Sequence, residues 1–184
     1  VPKALSACEM VCRAGFESVN IDLLFGTPGQ KLEDWRNDLK CAVDLNPDHI
    51  STYCLTFEED TALYAKLAKG EIKIDPEREA KFYETAWEYL PAHGYGHYEV
   101  SNYAKAGMES RHNLNTWAMN DWIGYGPSAS SQLNGIRWKN FSNIEQWGEN
   151  LITGQPQKYE EWTELRDEEL ARDAVVLGLR MNGG

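Results

Sequence analysis

The amino-acid sequence predicts an α/β fold on three observations. Residues 18–25 (SVNIDLLF) form a short, mostly apolar run of the kind a buried parallel strand shows. Residues 49–57 (HISTYCLTF) are rich in residue types that favour strands. Between them, residues 32–45 put Leu32, Trp35, Leu39, Ala42, Val43 and Leu45 largely on one helical face. Strand, helix, strand with short links is a right-handed crossover, the unit of an α/β sheet or barrel.

The remaining elements follow in order. Residues 3–14 carry Leu5, Cys8, Met10, Val11 and Cys12 at roughly helical spacing, and Gly15 can end that helix. Gly26-Thr27-Pro28-Gly29-Gln30 is a turn, and Asn46-Pro47-Asp48 is a second link. A helix is expected over 76–92, opened by Pro76 at the first helical position with acidic residues in its first turn. Residues 95–103 (YGHYEVSNY) read as one further strand. Beyond Ala104 the pattern changes: residues 105–140 are rich in Gly, Asn, Ser and Trp, with only short strands, and helices at 143–153 and 167–181 close the chain. Residues 1–104 are therefore expected to be part of an α/β barrel, and residues 105–184 a largely separate appended α+β region.

Composition excludes several classes of function. A formal net charge of −11 speaks against nucleic acid as a partner, because phosphate binding relies on clustered Lys and Arg. No apolar run approaches the ~20 residues that cross a bilayer. No basic amphipathic helix indicates membrane contact either. Cysteines at 8, 12, 41 and 54 are too scattered for a secreted disulfide framework, so a cytoplasmic location is expected. The chain opens at Val1 without methionine and stops at Gly183-Gly184 straight after an apolar helical pattern, so it reads as a piece of a larger protein.

Three groups of residues are candidates for chemistry. Cys8 and Cys12 form a C-x3-C pair, the opening of a C-x3-C-x2-C set that holds a [4Fe–4S] cluster with one iron open. The third cysteine would be residue 15, which is glycine, so the pair is expected to pack as small hydrophobes. Asp22 lies inside an apolar strand, where a carboxylate is costly unless something pairs with it. It could accept hydrogen bonds from ribose hydroxyls or an amino group at the end of a barrel strand, or be tied to backbone amides of the next turn. His112, in a polar loop with Trp117 close by, could offer an imidazole nitrogen to iron beside aromatic rings, or be solvated. His49, His93 and His97 have no partners at metal-site spacing, and no phosphate-binding glycine loop or nucleophile elbow is present.

Taken in order, these strings resemble one family. Gly15-Phe16 and Val19-Asn20-Ile21-Asp22-Leu23-Leu24-Phe25-Gly26-Thr27-Pro28-Gly29-Gln30 are similar to the "GF…VNxDLIYGLPGQT" of oxygen-independent coproporphyrinogen III oxidases and their HemW-type relatives. Asn46-Pro47-Asp48-His49-Ile50-Ser51 is similar to the "PxHIS" that opens the next barrel strand, and Tyr98-Glu99-Val100-Ser101-Asn102-Tyr103-Ala104 to "YEISNFA". Arg111-His112-Asn113 with Trp117, and then Gly124-Tyr125-Gly126-Pro127, resemble "CRHNxxYW…GxGP", and Leu177-Gly178-Leu179-Arg180 matches "LGLR". Ser110 stands where the family often has Cys, and Thr116 where it has Tyr.

The resemblance implies the later strands of an incomplete radical-SAM (βα)6-type barrel in residues 1–104, and a truncated C-terminal region in 105–184. It implies S-adenosylmethionine (SAM) and a [4Fe–4S] cluster in the full-length parent, with the cluster ligands outside this chain. Asp22 corresponds to a SAM-contacting aspartate, while Thr56 and Tyr98 match SAM positions less closely. The element with His112, Asn113 and Trp117 is typical of the HemW branch, which binds heme and passes it to acceptor proteins. The alternative is the oxidase, whose 5′-deoxyadenosyl radical removes hydrogen from porphyrinogen propionates, which then lose CO2 and become vinyl groups. No residue of this chain is expected to be catalytic, and the chain alone is expected to be inactive.

Overall fold

A computed structural model describes residues 2–153 and 158–183. Val1 and Gly184, the ends noted above, lie outside the described residues. The chain divides into two compact units, Val1–Glu109 and Ser110–Gly184.

The first unit runs α1 (Pro2–Arg13), β1 (Asn20–Phe25), α2 (Leu32–Asp44), β2 (His49–Cys54), α3 (Ala62–Ala68), α4 (Pro76–Ala92), β3 (Gly96–Glu99) and β4 (Asn102–Ala104). Its sheet has the order β1-β2-β4-β3. The expected crossover is present: β1 and β2 are parallel, in register from Asn20↔His49 to Phe25↔Cys54. The single strand expected over 95–103 is instead a hairpin, with β4 antiparallel to both β2 and β3. The cause is local. The Glu99 carboxylate accepts the Ser101 backbone N–H at 2.9 Å and the Asn102 side-chain amide, which bends the chain between the two strands.

Helices α2 and α4 cover one face of this sheet. α2 buries Trp35, Leu39 and Ala42, and α4 buries Phe82, Ala86 and Leu90, each set at helical spacing. They close on Phe25, Ile50, Tyr95 and Tyr103. Burial of each large side chain contributes roughly 1.5–3 kcal/mol. Phe25 meets Trp35 at 5.0 Å and Tyr83 edge-on at 4.8 Å. Because strand side chains alternate, Asn20, Asp22 and Leu24, with His49, Ser51 and Tyr53, share the opposite face.

The turn after β1 has a sequence reason at each position. Gln30 N–H closes it on Thr27 O at 3.0 Å, with Pro28 second and Gly29 third at φ +78°, the type II arrangement. Arg78 on α4 donates to the carbonyls of both Thr27 and Gln30 at 2.8 Å, fixing the turn to the core. The Asp75 carboxylate caps α4 by accepting Arg78 N–H at 3.0 Å, with Pro76 following it as expected. α3 was not expected; its seven residues are too short for a periodic signal, and Thr61 caps it.

The second unit runs α5 (Arg111–Trp117), β5 (Ser130–Leu133), β6 (Ile136–Lys139), α6 (Ile144–Ile152), β7 (Glu161–Glu164) and α7 (Asp167–Gly178). Its strands form an antiparallel sheet, β5-β6-β7. Asn134 and Gly135 turn the first hairpin with φ of 51° and 76°, the tight Asn-Gly turn whose twist suits a hairpin. Gly124 admits no side chain, since a Cβ there would stand 2.4 Å from Ser130 O. Arg137 joins β6 to α7 through Asp173 at 2.9 Å, and also donates to Gln132. Among the described residues no helix is long and apolar enough to cross a membrane.

Candidate functional site

The other face of the first sheet carries a continuous polar network. Its spine is set by register, because Asn20 lies beside His49 and Asp22 beside Ser51. Asn20 Nδ2 donates to Asp22 Oδ1 at 2.7 Å. Asn20 Oδ1 lies 2.7 Å from His49 Nδ1 and accepts from the Ser51 hydroxyl at 3.2 Å. The other ring nitrogen, His49 Nε2, is 2.7 Å from the Tyr98 hydroxyl.

These partners assign the protons. An amide oxygen only accepts, so His49 Nδ1 carries the hydrogen, and in the neutral ring Nε2 accepts from the Tyr98 hydroxyl. Burial favours the neutral ring: His49 is 5% exposed, and loss of solvent lowers its pKa, while the carboxylates of Asp22, Glu99 and Glu109 act in the opposite direction. The result is a directed chain of donors, from Tyr98 through His49 and Asn20 to Asp22.

Two of the three residues expected at SAM are thus linked on one face. Asp22 is exposed there, not buried as the apolar run around it suggested, because only every second residue of β1 faces the core. Thr56 follows the end of β2, is exposed, and donates to Glu58 at 3.1 Å, outside the network. Sequence reasoning missed Asn20 and His49. The signal was available as polar residues at period two, Asn20 and Asp22 against His49 and Ser51, opposite the apolar set. Asn102, paired with Ser51 in register, adds a buried Oδ1 without a hydrogen-bond partner among the described residues.

The other expected residues lie in the second unit. The loop expected around His112 is helix α5, because Ser110 caps it by accepting Asn113 N–H at 3.3 Å. His112 is exposed and shares a stripe with Thr116, whose hydroxyl donates to the His112 carbonyl at 2.9 Å. Asn113 and Trp117, four residues apart, share the next stripe. The Arg180 guanidinium lies over the Trp117 ring at 4.3 Å, and the buried indole N–H of Trp117 has no acceptor among the described residues. Cys8 and Cys12 are half-buried with Leu5 along one side of α1. No cluster of His, Cys, Asp or Glu that could hold a metal occurs among the described residues.

No protein-family model matches the chain. It is 37% identical over 177 residues to the heme chaperone HemW of Bacillus subtilis, an alignment covering 96% of this chain and 46% of that protein. Against the heme chaperone HemW of Mycobacterium tuberculosis it is 33% identical over 183 residues, 99% of this chain and 47% of the other. Against that of Escherichia coli it is 37% identical over 131 residues, 71% and 34%. The chain spans about half the length of the first two of these relatives. In three dimensions it is similar to coproporphyrinogen III oxidase (HemN) from Escherichia coli, a radical SAM enzyme, with a TM-score of 0.73 and 21% identity over 97% of this chain and 44% of that one. That likeness shows the α/β fold.

Proposed function

We propose, from this likeness over the span they share, that the chain belongs to the HemW-type family and that the protein is a heme-chaperone-like radical SAM protein, one that binds heme and transfers it to an acceptor protein. Agreement with heme chaperones along nearly the whole chain carries this reading. In it, residues 1–104 supply later strands of an incomplete (βα)6-type barrel, and residues 105–184 begin the C-terminal region. Four free cysteines suit a cytoplasmic protein.

The polar sheet face fits SAM by the chemistry of its groups. The exposed Asp22 carboxylate can accept from ribose hydroxyls or an amino group. The buried Oδ1 of Asn102, without a partner among the described residues, is a further acceptor beside the network. Asp22, Tyr98 and Thr56 would hold the cofactor, and the [4Fe–4S] ligands would come from residues outside this chain. When bound at such a cluster, SAM is a source of the 5′-deoxyadenosyl radical. This chain's own part is to bind and orient it. In the second unit, the exposed imidazole of His112 can offer a ring nitrogen to heme iron, with Asn113 and Trp117 on the neighbouring stripe of α5.

The second reading, an oxygen-independent coproporphyrinogen III oxidase, is favoured by the shared fold alone. The two separate in the complete protein with its cluster restored. Heme titration is expected to give a saturable Soret change, and coproporphyrinogen III with SAM to yield no protoporphyrinogen. Turnover of coproporphyrinogen would overturn the chaperone reading in favour of the oxidase.

A further inference from the structure

The two ends of a primary amide are nearly the same shape, so Asn20 could turn either its oxygen or its nitrogen toward Asp22. An oxygen there would repel the carboxylate, and a nitrogen holds it. The choice is made on the far side of Asn20, where the His49 Nδ1–H and the Ser51 hydroxyl both point at Oδ1, at 2.7 and 3.2 Å. His49 Nδ1–H donates to that oxygen, and in the neutral ring Nε2 then accepts from the Tyr98 hydroxyl at 2.7 Å. The ring is 5% exposed and packs edge-on to Tyr98, with centroids 5.6 Å apart, so it has little freedom to rotate.

We infer that His49 is a positioning residue for Asp22: with Nδ1–H donating to Asn20 Oδ1 and Nε2 accepting from Tyr98, it fixes the Asn20 amide so that Nδ2 holds the Asp22 carboxylate in one orientation for its ligand. A carboxylate already oriented loses less freedom when it takes up the hydroxyls or amine of a ligand. The relay also explains why β1 carries an asparagine two residues before Asp22, and β2 a histidine two residues before Ser51. The parallel register brings those four side chains onto one face.

The inference rests on the reading of Asp22 as a SAM contact, and the experiment separates the two. SAM affinity is measured by calorimetry on the complete, cluster-restored protein, for Asp22→Asn, Asn20→Ala, His49→Ala and His49→Asn. Loss of an oriented, charge-assisted contact is expected to weaken binding on the order of tenfold in the first three. His49→Asn, whose amide can replace the Nδ1–H donor, is expected to restore most of the affinity. The pair His49→Ala with Asp22→Asn is expected to bind no more weakly than Asp22→Asn alone, since both act through one carboxylate. A purely structural histidine would instead add its loss to that of Asp22. Should His49→Ala fail to fold, Asn20→Ala carries the same test from an exposed position. A loss in Asp22→Asn with none in Asn20→Ala or His49→Ala overturns the positioning role and leaves the SAM contact standing. No loss in Asp22→Asn overturns the SAM contact. Nitrogen-15 spectra of labelled histidine then judge the relay by itself: an Nε2–H tautomer at His49 overturns it, and an Nδ1–H tautomer supports it.

Discussion

The indole N–H of Trp35 donates to the main-chain carbonyl of Phe82 at 3.0 Å, and both residues are fully buried. One hydrogen bond thus ties α2 to α4 beneath the sheet whose other face carries the polar network. Trp35→Phe keeps an aromatic ring but removes this donor and leaves space beside Phe25. The expected cost is about 1–3 kcal/mol, from the lost buried hydrogen bond and the small cavity together. Urea unfolding should show a lower midpoint at an unchanged slope, and an unchanged midpoint would mean that the bond adds nothing to the packing.

His49 makes the stability of the first unit depend on pH, and the sign follows from its burial. Its pKa is lowered below the ordinary histidine value of 6.5, so on acidification the unfolded chain takes up a proton before the folded one. The stabilising contribution is therefore fully present above that value and is lost as pH falls through the lower, folded pKa. The negative charges of Asp22, Glu99 and Glu109 act against this and limit the shift. Melting temperature measured from pH 7.5 down to 5 should fall, and fall less in His49→Asn, which has no group to titrate there. Equal slopes in the two proteins would assign the acid lability to other residues.

The C-x3-C pair makes a separate prediction about the chain as it stands. Cys8 and Cys12 are half-buried along one side of α1, and the position that would complete the cluster set is Gly15. Anaerobic reconstitution of the 184-residue chain with iron and sulfide should give no stoichiometric [4Fe–4S] absorbance. A cluster signal that disappears in Cys8→Ala with Cys12→Ala would refute this.

Much of the first unit was legible because its signals are strong and local. Trp35, Leu39 and Ala42 repeat at helical spacing, Pro76 marks the start of α4, and Pro28-Gly29 marks the turn. The hairpin at Val100-Ser101 was not, because it depends on a buried Glu99 side chain bonding back to the chain, which no periodicity reports. The polar face was half legible. Asp22 stood out as a charge among apolar residues, but His49 and Asn20 gain meaning only when the parallel register sets them side by side. In the second unit, Asn134-Gly135 is a hairpin signal in the sequence, whereas α5 and β7 are too short for a pattern to reveal.

The last prediction concerns the heme ligand. His112 is exposed on α5, on a different stripe from Asn113 and Trp117, so its imidazole can meet an iron without displacing either. Trp117 is differently placed: one face of its ring is covered by Arg180 at 4.3 Å, so it offers an edge and the other face to a macrocycle. If His112 is the axial ligand in the complete protein, His112→Ala removes the only bond between its side chain and the iron. The loss in heme affinity should then exceed the roughly tenfold to hundredfold that removing a group behind a metal ligand costs. The Soret maximum should shift with it, because the axial donor sets the iron's electronic state. Trp117→Phe keeps a ring over the same stripe and should change affinity little. Titration of each variant with heme, followed by absorbance, reads both quantities. An unchanged Soret band and affinity in His112→Ala would leave the chaperone reading in place but move the ligand to another residue. Equal losses in His112→Ala and Trp117→Phe would instead mean that α5 contributes packing and no bond to iron.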